Sequence, residues 1–277
     1  MAALGASGAR LDLLDRKAQF AGDQVDQEWC RVALSGVAAV PARYLQPVSL
    51  APEGVDRIEA ISNHAPSGTE AEQRTSGVCN LYRMSRSVDE IARVFDLAAP
   101  LGLNVAGELY PKSNGLVIAE GALRSMTWGF PLAQKSKVTG EPLKPRPVNN
   151  ARSDKLDSFM WRYSFAERRC LIPLTAWAEA EGPKGEMTRT WLSLPGEDVF
   201  TVAGIWRGSD EWGDCYSMVM TDAAGDAAAV HDRMPVILAG EDRDTWTSGA
   251  QEDALGLCLP YQGALTIERT SERWAKG

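Results

Sequence analysis

Cys170-Leu171-Ile172-Pro173-Leu174-Thr175-Ala176-Trp177-Ala178-Glu179 carries no charge until its last residue. An apolar run of this length suits a strand buried on both faces, with a carboxylate at its mouth. Runs of similar texture lie at 115–119, 123–130, 190–194, 200–206, 216–221 and 234–238. Helical signals are fewer. Ser87 and Glu90 form a capping box ahead of Ile91, Val94 and Phe95, which predicts a helix over 88–97. Leu156, Phe159 and Tyr163 stand at helical spacing within 152–169, and 241–248 reads as a short helix. Strands outnumber helices without alternating with them, so a doubly wound parallel sheet is excluded. The predicted class is α+β, with a curved, largely antiparallel β core and flanking helices.

Upstream of Cys79 the texture loosens. Val25, Trp29 and Val32 fit a short amphipathic helix around 23–34, and 45–77 is a Pro-, Ser- and Gly-rich linker. The expected organisation is an extension over 1–78 and one domain over 79–277. The 277 residues are 44% hydrophobic and 24% charged, as in ordinary soluble globular chains. No apolar run is long enough to span a bilayer, and 1–17 lacks the pattern of a secretory signal. No membrane partner is expected, and the cytoplasm is the natural setting.

Five cysteines are an odd number, and none is spaced as a CxxC pair. This argues against a zinc knuckle or a disulfide framework, and no metal or cofactor is expected. Cys170, Cys215 and Cys258 read as small buried hydrophobes. The net charge of −8 counts against nucleic-acid binding by bulk attraction. Lys135, Lys137, Lys144, Arg146, Arg152, Lys155, Arg162, Arg168 and Arg169 nevertheless gather positive charge in one stretch. That stretch is either a solvated face or a local cationic groove.

The candidate chemical residues each allow two readings. His231, beside Asp232 and Arg233 at the mouth of an apolar run, is a structural histidine or a proton carrier. Glu179 is a solvated strand end or a carboxyl aimed into a pocket, where burial would raise its pKa. Asn150 is a helix N-cap or part of a site, and Arg152 binds phosphate or faces solvent. His64 falls in the linker, where it is expected to be idle.

Taken in order, six segments form a pattern: Cys79-Asn80-Leu81-Tyr82; Thr127-Trp128-Gly129-Phe130; Asn150-Ala151-Arg152-Ser153-Asp154; Arg169-Cys170-Leu171-Ile172-Pro173 leading to Glu179; Ala203-Gly204-Ile205-Trp206; and His231-Asp232-Arg233-Met234-Pro235-Val236-Ile237-Leu238. This pattern resembles the SOS response-associated peptidase (SRAP) family. The chain departs from it at Asp154, where the family usually has Glu, and at Ala178 and Ala180, where aromatics often flank the glutamate. The extension before Cys79 is the largest departure.

The resemblance implies processing of abasic sites in single-stranded DNA. Cys79, as a free amino-terminal residue, would form a thiazolidine crosslink that shields the site from strand cleavage. Asn150 would orient the cysteine, while Glu179 and His231 would handle protons. Arg152 and Arg233 would hold phosphates, and Trp128 would shape the groove. Peptidase (hydrolase) and lyase activities are implied, in a monomer that joins the nucleoid during repair. The extension is then either an artefact of initiation at Val78 or a propeptide removed at Val78-Cys79. Two rival classes remain: a cysteine peptidase using Cys79, His231 and Asn150, and a single-strand-binding module without chemistry.

Overall fold

A computed structural model of the chain describes residues 79–103 and 107–274. The predicted helix at 23–34, the linker at 45–77 and His64 lie outside the described residues. After Cys79 come strand β1 (Leu81–Arg83), helix α1 (Val88–Val94) and strand β2 (Glu108–Leu109). Helix α1 opens on the expected capping box: the Glu90 N–H donates to the Ser87 hydroxyl at 3.3 Å and the Ser87 N–H to the Glu90 carboxylate at 2.8 Å. Strands β3 (Asn114–Ala119) and β4 (Ala122–Trp128) form a hairpin. Its turn residues Glu120 and Gly121 both take positive φ, which matches the twist of the flanking strands.

Strand β5 (Phe130–Lys135) and strand β6 (Pro142–Val148) form a separate two-stranded ribbon, followed by strand β7 (Asn150–Arg152). Helix α2 (Arg162–Glu167) leads to strands β8 (Arg169–Leu174), β9 (Ala176–Glu181), β10 (Thr188–Ser193), β11 (Phe200–Ser209) and β12 (Gly213–Asp222). Helix α3 (Gly225–Ala228), strands β13 (Arg233–Pro235) and β14 (Ile237–Leu238), helices α4 (Arg243–Ser248) and α5 (Gln251–Gly256) and strand β15 (Thr266–Arg273) complete the described chain.

Strand β12 pairs with β4, β4 with β3, β3 with β8, β8 with β11, and β11 again with β12. These five strands therefore close into a barrel-like ring, antiparallel except at β12–β4. Strands β13 and β7 flank the end of β12, while β14 extends β11. A second sheet has the order β15-β10-β9-β1-β2. Trp128, Trp177, Trp246, Tyr82, Tyr216, Phe130 and Phe165 are the largest fully buried side chains. The α+β class with a largely antiparallel core is thus the observed one.

Three local readings change. The run at 170–179 is two strands in two sheets, because the chain bends at Thr175. There the Thr175 N–H and hydroxyl both donate to the Arg83 carbonyl, at 2.9 and 3.1 Å. This bend carries Glu179 out of the barrel and alongside β1. The helix expected over 152–169 is only a 3₁₀ turn, Ser153–Lys155, and the short α2. Leu156, Trp161 and Phe165 are buried, whereas Phe159 and Tyr163 are 82% and 63% exposed. Asn150 caps no helix; it sits in β7, paired in parallel with Met218 of β12.

Candidate functional site around Cys79

Cys79 is fully buried at the entrance to β1. Its carbonyl accepts two side-chain amides, Nδ2 of Asn150 at 2.7 Å and Nδ2 of Asn149 at 3.1 Å. The Asn149 amide also donates to Oδ1 of Asn80 at 3.0 Å. Asn149 is itself anchored: its carbonyl accepts the Trp128 indole N–H at 3.0 Å and the Met218 N–H at 2.9 Å. Trp128, expected to shape a DNA groove, is therefore a buried support for the residue that grips Cys79 and presents no surface to a nucleic acid. Asn149 was not singled out from the sequence. The tandem amides in Val148-Asn149-Asn150 were the signal for it.

Beneath this grip, Tyr82 stacks edge-on against Trp128 with centroids 4.9 Å apart, and its hydroxyl is hydrogen-bonded to that of Tyr216. A Cβ on Gly115 would collide with both hydroxyls, so only glycine leaves room for the pair. The floor of the site is thus rigid and aromatic.

Strands β1 and β9 run antiparallel with Leu81 opposite Ala178, so the chain entering β1 lies beside Glu179. Strand β10 covers the other edge, with Thr190 opposite Glu179. Flanked on both edges, Glu179 is 1% exposed, and neither carboxylate oxygen has a well-formed hydrogen bond; the Cys79 backbone N–H is the donor that faces it. Burial pushes its pKa well up, and the nearby Asp232 charge adds to the rise; the Cys79 backbone N–H opposes it weakly. Burial likewise raises the Cys79 thiol well above its usual range, with the Glu179 charge adding to this. Oδ1 of Asn150 is a third buried acceptor without a partner. Three acceptors without a well-formed hydrogen bond on two residues that contact Cys79 are far from the usual satisfaction of buried polar groups.

His231 lies just ahead of β13, which pairs with β12. Its Nδ1 accepts the Arg233 N–H at 3.1 Å and lies 3.0 Å from an Asp232 oxygen. Its neighbour Asp232 is the residue whose charge acts on Glu179. Among the described residues no hydrogen bond joins His231 to Cys79. Arg152 makes a bidentate pair with Asp154 at 2.8 and 2.6 Å, and Arg233 pairs with Asp222 at 3.1 Å. The structure thus brings Cys79, Asn150 and Glu179 into direct proximity and holds His231, Arg152 and Arg233 around the end of β12. Among the described residues no cluster of His, Cys, Asp or Glu could hold a metal ion.

The sequence profile described as SOS response associated peptidase (SRAP) matches residues 78–275. The chain belongs to this family. Among curated proteins it is similar to the abasic site processing protein YobE of Bacillus subtilis, at 23% identity over 66% of this chain and 90% of that one. It is also similar to the abasic site processing protein YoqW of the same organism, at 24% identity over 64% of this chain and 83% of that one. Two solved structures share the fold. One, from Bacteroides thetaiotaomicron, has a TM-score of 0.58 at 18% identity and covers 69% of this chain and 91% of that one. The other, from Bordetella bronchiseptica, has a TM-score of 0.57 at 24% identity and covers 69% and 99%.

Proposed function

We propose that this SRAP protein captures abasic sites in single-stranded DNA through Cys79, acting as an amino-terminal residue. The observation that carries this reading is the environment of the Cys79 nitrogen. The residue's carbonyl is clamped by two amides, while its backbone nitrogen faces the buried carboxyl of Glu179, which has no well-formed hydrogen bond. An ammonium at that position would replace the single amide N–H that faces Glu179 with three charged donors. The names of the curated relatives point to the same substrate.

The chemistry follows from the two groups on Cys79. A free α-amine has a pKa of about 7.7–8.0, so part of it is neutral and nucleophilic near pH 7. Its nitrogen adds to the aldehyde carbon C1′ of a ring-opened abasic site, and loss of water gives an imine. The thiol then adds across the C=N bond: sulfur bonds to C1′ and the thiol proton ends on nitrogen. The product is a five-membered thiazolidine. This closure is intramolecular and is favoured by the fixed geometry of the residue. Glu179, with its raised pKa, suits both directions of proton traffic: as acid it protonates the departing hydroxyl, and as base it takes the ammonium proton. His231 serves the sugar and its phosphate, and Arg152 and Arg233 exchange their carboxylate partners for phosphates. Residues 1–78 are not part of the acting protein, whether through initiation at Val78 or cleavage at the Val78-Cys79 bond.

The peptidase alternative needs a thiolate next to an imidazole. A thiol raised by burial and by a neighbouring carboxyl, with no hydrogen bond to His231, favours thiazolidine chemistry instead. The test is incubation of protein beginning at Cys79 with single-stranded DNA bearing one abasic site, followed by a denaturing gel. A stable shifted band is expected, absent with Cys79→Ser, with intact DNA and largely with duplex. No band with the wild-type residue overturns the proposal.

A further inference from the structure

Strands β5 and β6 stand apart from both larger sheets. A two-stranded ribbon is marginal on its own, and this one is held at its root. There the Phe130 ring packs against Trp161 at 5.1 Å, and the Arg207 guanidinium lies 4.3 Å over Phe130. The rest of the ribbon projects with exposed Lys135, Lys137, Lys144 and Arg146 against a single acid, Glu141. None of these four cations has an ion-pair partner among the described residues. The register places Leu132 opposite Arg146 and Pro142 opposite Lys135, with a bulge between Leu132 and Gln134, so Arg146 and Lys135 lie on opposite faces and the ribbon is cationic on both. In a chain of net charge −8 this is a local reversal of sign.

The ribbon is unsuited to adding a further strand. Pro131, Pro142, Pro145 and Pro147 remove backbone donors along it. Its ligand is therefore addressed by side chains. Next to its root, on either side of the buried Trp161, Phe159 and Tyr163 are exposed. The Arg162 guanidinium lies 5.6 and 4.7 Å from their ring centroids. Unpaired cations beside exposed aromatic rings are what unstacked nucleotides require: charge for phosphates and flat apolar faces for bases. At the root, β6 runs directly from Val148 into Asn149 and Asn150, which hold Cys79.

We propose that the ribbon and the aromatic turn at its root form a track for the single strand flanking the abasic nucleotide, with Lys135, Lys137, Lys144 and Arg146 on phosphates and Phe159 and Tyr163 under bases. This rests on the abasic-site reading for its ligand. Equilibrium binding of an intact single-stranded oligonucleotide to the full chain, by fluorescence anisotropy over a range of KCl, tests it. With four phosphate contacts, replacing all four cations by Gln lowers the slope of log affinity against log salt by about 3. Phe159→Ala with Tyr163→Ala weakens binding by at least about thirtyfold and leaves the slope unchanged. All six side chains are exposed, and unchanged thermal melts show that each variant is folded. Equal slopes for the wild type and the four-cation variant overturn the track. Crosslinking is scored separately on abasic DNA at saturating concentration with protein beginning at Cys79. Steep, variant-sensitive binding without any crosslink leaves the track standing and sinks the chemistry; crosslinking with insensitive binding does the reverse.

Discussion

Two buried polar clusters in this protein are built in opposite ways. Around Arg169, every donor nitrogen is used: the guanidinium donates to the carbonyls of Phe165, Trp246 and Gly249, and the Trp246 indole donates to those of Cys170 and Gly204. Around Cys79, Glu179 and Asn150 keep three acceptors without a well-formed hydrogen bond. Both clusters are nearly dry, so the contrast is not one of exposure. A buried polar group without a partner costs about 1–3 kcal/mol, more if charged. The first cluster therefore holds the fold together. The second holds free energy that a bound amine and sugar can recover. Their cysteines match: Cys170 is raised by burial alone, while Cys79 also feels Glu179.

The sharpest way to break this comparison is to exchange the phenotypes. Glu179→Gln is expected to slow single-turnover adduct formation by about 10²–10⁴-fold, the usual contribution of a general acid–base group, with no loss of folding. A wild-type rate would place Glu179 with the structural groups. Arg169→Met should do the opposite. It strands three carbonyls and should cost about 3–5 kcal/mol in urea denaturation, while the remaining folded protein crosslinks normally. A stable Arg169→Met protein would show that the saturated cluster is dispensable.

The pH dependence sharpens the contrast further. The folded pKa of Glu179 is raised, so the folded state holds its proton after the unfolded chain has released it. Below about pH 4 the carboxyl is neutral in both states and carries no penalty. As pH rises toward the folded pKa, the wild type loses stability relative to Glu179→Gln. Denaturation midpoints from pH 4 to pH 8 should therefore diverge, with the variant gaining. The gap should be smaller in protein beginning at Cys79, where an ammonium favours the ionised carboxylate. Parallel curves would mean that Glu179 is solvated.

The antiparallel β core, though not its closure into a ring, was legible in the sequence because its strands are continuous apolar runs, as at Leu116-Val117-Ile118 and Val202-Ala203-Gly204-Ile205. What escaped was set by long-range contacts. Strand β6 hides behind its prolines, and β15 is polar because most of it is exposed. The stripe Leu156, Phe159, Tyr163 has helical spacing without helical burial, because Trp161 and Phe165 take the inward positions. At the site, motif order pointed to Cys79, Asn150, Glu179 and His231. Whether Glu179 was buried could not be read locally, since β1 and β10, distant in sequence, close over it. Asn149 escaped for the same reason: its grip on Cys79 spans 70 residues.

The central claim is that the unsatisfied cluster is built around a free amine on Cys79. The most direct measurement is the intact mass of the covalent species formed when protein expressed from the full gene meets abasic single-stranded DNA. An amide nitrogen, its lone pair delocalised into the carbonyl, cannot form the imine. The account predicts one adduct whose protein part begins at Cys79 and whose mass equals protein plus DNA minus one water, with the linkage at residue 79. A crosslinked species that still carries residues before Cys79 would contradict it.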